Sequence, residues 1–152
     1  MRRYYLAYGS NLNKEQMEYR CPGSTPIGTA MLEGYELSFK GSKTGSYLTV
    51  DRKEGAKAPV AVWLVDEGDE ANLDRYEGYP VFYHKEDMWV KLDGKEELVN
   101  AFIYIMRDGA EYGMPSLNYV RTCQIGYEDF GFDEDYLAQA LRRSRKETEG
   151  GR

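Results

Sequence analysis

The apolar positions of this chain fall into short runs separated by turns rich in Gly, Asp, Lys and Pro, a pattern of strands and short helices. The first run, Tyr4-Tyr5-Leu6-Ala7, predicts a strand ending at the polar loop Tyr8-Gly9-Ser10-Asn11-Leu12. A helix is predicted straight after it, with Asn13 as N-cap, Gln16 as its capping-box partner, and Leu12 and Met17 as the hydrophobic staple. Cys21-Pro22-Gly23 stops that helix, and residues 27–32 predict a strand turning at Glu33-Gly34 into a second, with Tyr35, Leu37 and Phe39 on one face. A loop is expected over residues 41–45, a strand over 47–50 and a polar turn over 51–57.

The run Pro59-Val60-Ala61-Val62-Trp63-Leu64-Val65 is the most hydrophobic and rich in β-branched residues, which predicts a central strand buried on both faces. Residues 68–77 predict a short helix with an acidic first turn and Gly78 placed to end it. Residues 82–92 and 98–106 predict a hairpin around Asp93-Gly94-Lys95. From Pro115 the spacing of Tyr119, Cys123 and Ile125 predicts a helix broken near Gly126. Asp133 is expected to cap a last helix, with Tyr136, Leu137, Ala140 and Leu141 on one side and Arg142, Arg143, Arg145 and Lys146 suiting its C-terminal end through the helix dipole. Six or so strands among short helices point to an α+β fold in a single domain over residues 1–146, with 147–152 as a disordered tail.

With 152 residues the chain is large enough for one core burying about two-thirds of its unfolded surface. Its net charge of −6, with both signs mixed along the chain, gives no nucleic acid a reason to bind. Cys21, Cys123 and the single His84 are too few and too scattered for a disulfide framework or a zinc cluster. No apolar run approaches the roughly 20 residues of a membrane span, and the first residues lack the pattern of a secretory signal. A cytoplasmic, metal-independent protein acting on a small molecule is the expectation, with nothing in the pattern to identify an oligomeric state.

The loop at residues 8–12 is built to present N–H groups. Gly9 permits a positive φ or close approach of a ligand, and Ser10 and Asn11 add short hydrogen-bonding side chains. A capped helix behind it adds the positive end of a dipole, so a small carboxylate is held as readily as a phosphate. No glycine pattern of a phosphate cradle follows.

Tyr8-Gly9-Ser10-Asn11-Leu12 after a short strand resembles the signature loop of the γ-glutamylcyclotransferase family, which includes AIG2-like proteins. Leu73-Asp74-Arg75-Tyr76-Glu77-Gly78 resembles its Leu-Asp-x-x-Glu-Gly segment, whose glutamate is the acid/base residue, and Pro115-Ser116-Leu117-Asn118-Tyr119 resembles its Pro-Ser-x-x-Tyr helix, whose tyrosine helps hold the substrate. Tyr104, and Tyr83 once the preceding loop is read as one residue shorter, stand where family tyrosines contact the ligand. The resemblance implies a small mixed β-barrel flanked by short helices. It also implies an enzyme, without metal or cofactor, that cyclises a γ-glutamyl group to 5-oxoproline and releases the free amine. Glu77 is then the catalytic residue, and Tyr8, Gly9, Ser10, Asn11, Leu12, Tyr83, Tyr104 and Tyr119 bind the γ-glutamyl substrate.

The chemistry of Glu77 agrees with that role. It stands in the last turn of its helix, at the negative end of the dipole, among Tyr76, Tyr79, Phe82 and Tyr83, where its charged form is disfavoured and its pKa rises towards the working pH. Asp74, Glu70 and Glu86 read as solvated charges, His84 as a strand surface residue and Cys21 as an inert thiol. Glutathione-specific relatives carry a variant loop without the asparagine, so Asn11 points to γ-glutamyl dipeptides or amines, with loops 41–45 and 107–114 expected to set the leaving amine. Two alternatives share the scaffold: a biosynthetic γ-glutamyl deprotection enzyme, and a non-catalytic binding or interaction module.

Overall fold

The computed structural model describes residues 1–42 and 45–150. Their strands form one six-stranded mixed sheet in the order β4-β5-β1-β3-β2-β6. β1 (Arg3–Ala7) lies inside the sheet, antiparallel to β3 (Gly45–Val65) and parallel to β5 (Leu98–Met106). The run at 59–65 is the buried strand expected: Val60, Ala61, Val62 and Val65 are fully enclosed, because β1 and β2 (Thr25–Ser42) flank it within the sheet.

β2 and β3 make one long hairpin bent at two register shifts, between Pro26 and Gly28 and between Glu33 and Tyr35. At the second, Glu33 pairs with Lys57 and Tyr35 with Arg52, so residues 53–56 stand out of the ladder opposite Gly34. The predicted polar turn is thus a protruding irregularity within a continuous element, and such bulges bend a sheet. Pairing continues through Gly41 with Ser46 and Ser42 with Gly45, inside the stretch expected to be loop; Lys43 and Thr44 lie outside the described residues.

β4 (Tyr83–Lys91) and β5 form the predicted hairpin. Just past its turn end, Leu92 bridges to Ala30, and the Asp93 amide donates to the Thr29 carbonyl at 2.8 Å. The sheet therefore curls back on itself as a half-barrel, the mixed β-barrel of the sequence reading left open on one side. A short β6 (Glu111–Tyr112), unforeseen because two residues carry no pattern, pairs with Lys40 and Gly41.

A 3-10 turn (Ser10–Leu12) and four α-helices, α1 (Lys14–Arg20), α2 (Glu67–Glu77), α3 (Leu117–Phe130) and α4 (Asp135–Gly150), complete the described fold. Asn13 caps α1 by accepting from the Gln16 amide at 3.0 Å, while the Gln16 side chain turns back to the Ser10 carbonyl. α2 starts one residue earlier than predicted behind a reciprocal Asp66/Asp69 capping box, and Gly78 ends it at φ 63°.

α3 is unbroken at Gly126. A Cβ there would sit 2.6 Å from Leu12 Cβ and 2.7 Å from the Asn13 amide nitrogen, so glycine lets the opening loop lie directly against the helix. Asp133 caps α4 as expected, accepting from the Asp135 amide at 2.9 Å. The helix then continues over residues 147–150, where a disordered tail was expected, and Gly151 and Arg152 lie outside the described residues. Arg142 and Arg143 are consequently mid-helix, and Arg143 pins α4 to β2 through the Leu37 carbonyl and the Glu36 carboxylate. No helix among the described residues is long and apolar enough to cross a membrane.

Candidate active site

A cavity of about 490 Å³ opens where the end of β1, the 3-10 turn, the end of α2 and the start of α3 converge. Tyr8, Gly9, Ser10 and Asn11 line it from one side and Glu77 from another, with Tyr83, Tyr104 and Tyr119 completing the wall. Folding therefore joins residues 69 positions apart, because β1 and α2 are both anchored to the central strand β3. Leu12 is fully buried beneath the turn and lines no part of the cavity; its contact is with Gly126.

Glu77 is half-buried, and burial pushes its carboxyl up to about 7 against a smaller downward pull from Arg20. Tyr5, Tyr8, Tyr83, Tyr104 and Tyr119 all have raised pKa values, first through burial, with the Glu77 charge adding to it at each. Five phenols thus stay protonated around one carboxyl poised near neutrality.

Each of these hydroxyls is oriented by the protein. Tyr83 donates to the Leu48 carbonyl at 2.8 Å, Tyr104 to Asp74 Oδ1 at 2.6 Å and Tyr8 to the Tyr104 carbonyl at 2.6 Å. Tyr119 instead accepts from the Leu48 amide at 3.1 Å. Asn11 sets Tyr5 in the same sense: its Oδ1 takes the Arg20 guanidinium at 2.9 Å, so its Nδ2 must be the group that donates to the Tyr5 hydroxyl at 3.0 Å. Tyr83 and Tyr104 are left to accept from a ligand, and Tyr5 and Tyr119 to donate to one. The cavity therefore offers a ligand both hydrogen-bond acceptors and hydrogen-bond donors.

The loop works differently from the sequence expectation. Gly9 has a negative φ of −125°, and its role is close approach: a Cβ there would meet the Tyr119 hydroxyl at 3.0 Å. The amides at the start of α1 turn elsewhere, with Lys14 N held by Asp129 Oδ2 at 3.0 Å. It is the 3-10 turn that borders the cavity, and within it the Leu12 and Asn13 amides bond back to the Gly9 and Ser10 carbonyls, both at 3.0 Å. The amides of Ser10 and Asn11, which open that turn, have no acceptor within it. Asn11 itself is only 3 % exposed, and its side chain orders the wall through Tyr5 and Arg20.

Arg20 and Tyr5 were not singled out from sequence, and Asp74, read there as a solvated charge, is instead bonded to Tyr104 and Lys85. Arg20 ends α1, where a basic residue reads as a dipole partner, yet it lies over the Tyr76 ring at 4.3 Å and beside Glu77. His84 is the strand surface residue expected, paired with Glu86 at 2.7 Å. Both cysteines are buried and unpaired, and burial pushes the Cys21 thiol up to about 12, as an inert thiol requires. Residues 107–114, expected to set the leaving group, line none of the cavity among the described residues, and Tyr47 and Phe82 stand there instead.

The fold is a curled half-barrel flanked by helices, with one cavity joining the opening turn to the end of α2. Comparison with known proteins places it in a family. The family model for "Gamma-glutamyl cyclotransferase, AIG2-like" matches residues 5–122. The chain is 27% identical over 146 residues to Gamma-glutamylcyclotransferase of Bos taurus, covering 87% of this chain and 73% of that protein, and equally identical over the same span to the Homo sapiens protein of that name. A solved structure titled "Gamma-glutamyl cyclotransferase" superposes with a TM-score of 0.81 at 24% identity over 92% of this chain and 86% of that one. YkqA from Bacillus subtilis superposes at 0.76 with 18% identity, over 95% of this chain and 54% of that one. The chain belongs to the γ-glutamyl cyclotransferase, AIG2-like family.

Proposed function

We propose that the protein cyclises the γ-glutamyl group of small γ-glutamyl peptides or amines to 5-oxoproline, releasing the free amine, with Glu77 as general acid and base. The observation carrying this reading is a single carboxyl, pushed up to about 7, facing the Tyr8–Asn11 turn across one cavity. A carboxyl near the working pH is suited to accept a proton and return it.

The reaction is an internal aminolysis. The substrate α-amine attacks its own γ-carbonyl, so the barrier lies in folding the glutamyl chain into the attacking conformer and in moving protons. Glu77 takes a proton from the α-ammonium, a C–N bond closes the ring, and the old amide C–N bond breaks as its nitrogen is protonated. The lactam nitrogen keeps one of the ammonium's three protons and the other two leave with the released amine, so one carboxylate acting in turn suffices. The amides of Ser10 and Asn11, with the donor hydroxyls Tyr5 and Tyr119, suit the α-carboxylate and the oxygen of the tetrahedral intermediate. A cavity of about 490 Å³ lies in the lower part of the usual range for small-ligand sites, which favours a dipeptide-sized substrate over a bulky biosynthetic one.

Incubation with γ-glutamyl-alanine is expected to yield 5-oxoproline and alanine in equal amounts, read by chromatography. No 5-oxoproline from a panel of γ-glutamyl dipeptides and amines would leave a binding module as the answer. Arg20 supplies a further check. Arg20→Met removes the charge that pulls the Glu77 carboxyl down, so the acid limb of the kcat/KM profile moves to higher pH and activity at pH 7 falls, whereas Arg20→Lys leaves the limb in place.

A further inference from the structure

Asp74, three residues before Glu77 on α2, is not the solvated charge its sequence context suggests. Its Oδ1 receives the Tyr104 hydroxyl at 2.6 Å and the Lys85 ammonium at 2.9 Å. Lys85 also reaches Glu70 Oε2 at 2.6 Å, and Arg3 joins Glu70 at 2.8 Å to Asp87 at 3.0 Å. A polar chain thus runs from the exposed edge of β4 to the cavity wall and ends on Tyr104. The Lys85 ammonium lies over the Tyr79 ring at 4.4 Å, which holds that end of the chain against the sheet.

A phenol hydroxyl has one proton to give. With that proton committed to Asp74, Tyr104 can meet a ligand only through its oxygen lone pair, and so only an N–H or O–H of the ligand. In the proposed reaction the acceptor groups of the substrate, the α-carboxylate and the γ-carbonyl, are the wrong partners for it. Two N–H groups remain, the α-ammonium and the scissile amide. Charge separates them: the α-ammonium is the cationic one, and the Glu77 carboxyl, which lines the same cavity as Tyr104 and acts on its hydroxyl electrostatically, must reach that same nitrogen to deprotonate it.

We infer that Asp74 is a positioning residue: it fixes the Tyr104 hydroxyl as an acceptor for the substrate α-amine and so aims that nitrogen at the γ-carbonyl beside Glu77. This rests on the cyclase reading above. Burial first, and then the bond to Asp74, raise the Tyr104 pKa far above the working range, so the hydroxyl keeps its proton and its direction. Lys85, which lines no part of the cavity, pairs with the half-buried Asp74 carboxylate and offsets its charge.

The test is a mutant cycle on turnover of γ-glutamyl-alanine, read beside inhibition by glutaryl-alanine, which keeps both carboxylates and the amide but lacks the α-amine. Tyr104→Phe is expected to lower kcat/KM by roughly tenfold to a hundredfold, the loss of one hydrogen bond to a charged group. Asp74→Leu, which removes the acceptor at similar volume, falls by a comparable factor and adds nothing in the Tyr104→Phe background. Asp74→Asn, whose carbonyl oxygen can still take the Tyr104 proton, recovers most of the rate. Inhibition by glutaryl-alanine stays unchanged throughout, and Arg3→Gln, at the outer end of the chain, turns over like the wild type. Additive losses in the double variant, or weaker glutaryl-alanine inhibition in Asp74→Leu, overturn the assignment and leave Asp74 as structural glue. An active wild type with an unaffected Asp74→Leu variant refutes the positioning role alone, whereas a wild type inert on every γ-glutamyl compound removes the cyclase reading and this inference with it.

Discussion

Glu77→Gln is expected to lower kcat/KM on γ-glutamyl-alanine by about a thousandfold, within the range that a positioned general acid/base contributes, while raising thermal stability at pH 8. The two effects have one cause. The carboxyl is pushed up to about 7 in the folded protein by burial, against an ordinary value of 4.5. Between those values the unfolded chain has lost the proton and the folded one keeps it, so stability falls as pH rises through the window and the ionised carboxylate is a liability above it.

Gln carries no charge to desolvate. The variant should therefore gain about 1–2 kcal/mol at pH 8, the linkage value being reduced because the cavity opens to water. That is a rise in Tm of about 3–6 °C for a chain of this size, vanishing below pH 4.5. The wild-type kcat/KM should rise with pH along an acid limb centred near 7. Turnover that survives the substitution, or a Tm difference that does not change with pH, would remove Glu77 from the chemistry assigned to it.

Gly126→Ala is expected to be the most damaging substitution away from the chemistry. The added methyl would lie 2.6 Å from Leu12 Cβ and 2.7 Å from both Leu12 C and Asn13 N, and two of those three atoms are backbone, which cannot swing aside as a side chain can. Overpacking of this kind costs about 2–3 kcal/mol, or roughly 5–10 °C in Tm. Because the atoms displaced carry the 3-10 turn, substrate binding should weaken as well, with KM rising for γ-glutamyl-alanine. A thermal scan beside steady-state kinetics checks both, and a variant of wild-type Tm would show that the loop and α3 are not in the contact described.

The two positions differ in how openly the sequence declares them. Glu77 stands at a helix end marked by Gly78, within a motif whose spacing can be compared, and its chemical cost follows from local position alone. Gly126 lies inside a helical pattern, where a glycine reads as a break; only the loop from the other end of the chain, pressed against it, shows why no side chain is there. The hairpin of β4 and β5 was legible because its alternation and its Asp-Gly turn are local, whereas β6 and the uninterrupted pairing of Gly41 and Ser42 depend on neighbours remote in sequence.

By itself the sequence determined the α+β character of the chain, the buried strand at 59–65, the capped helices, and the opening loop and Glu77 as the residues to examine, since periodicity, capping and motif spacing all act over a few residues. The tertiary structure alone decided the directions of the Tyr5, Tyr8, Tyr83, Tyr104 and Tyr119 hydroxyls, the place of Arg20 beside Glu77 and the bond from Tyr104 to Asp74. Those depend on which acceptor comes within hydrogen-bond reach and which charge comes near after folding, and the pairs concerned are separated by 57 positions for Arg20 and Glu77 and by 30 for Asp74 and Tyr104.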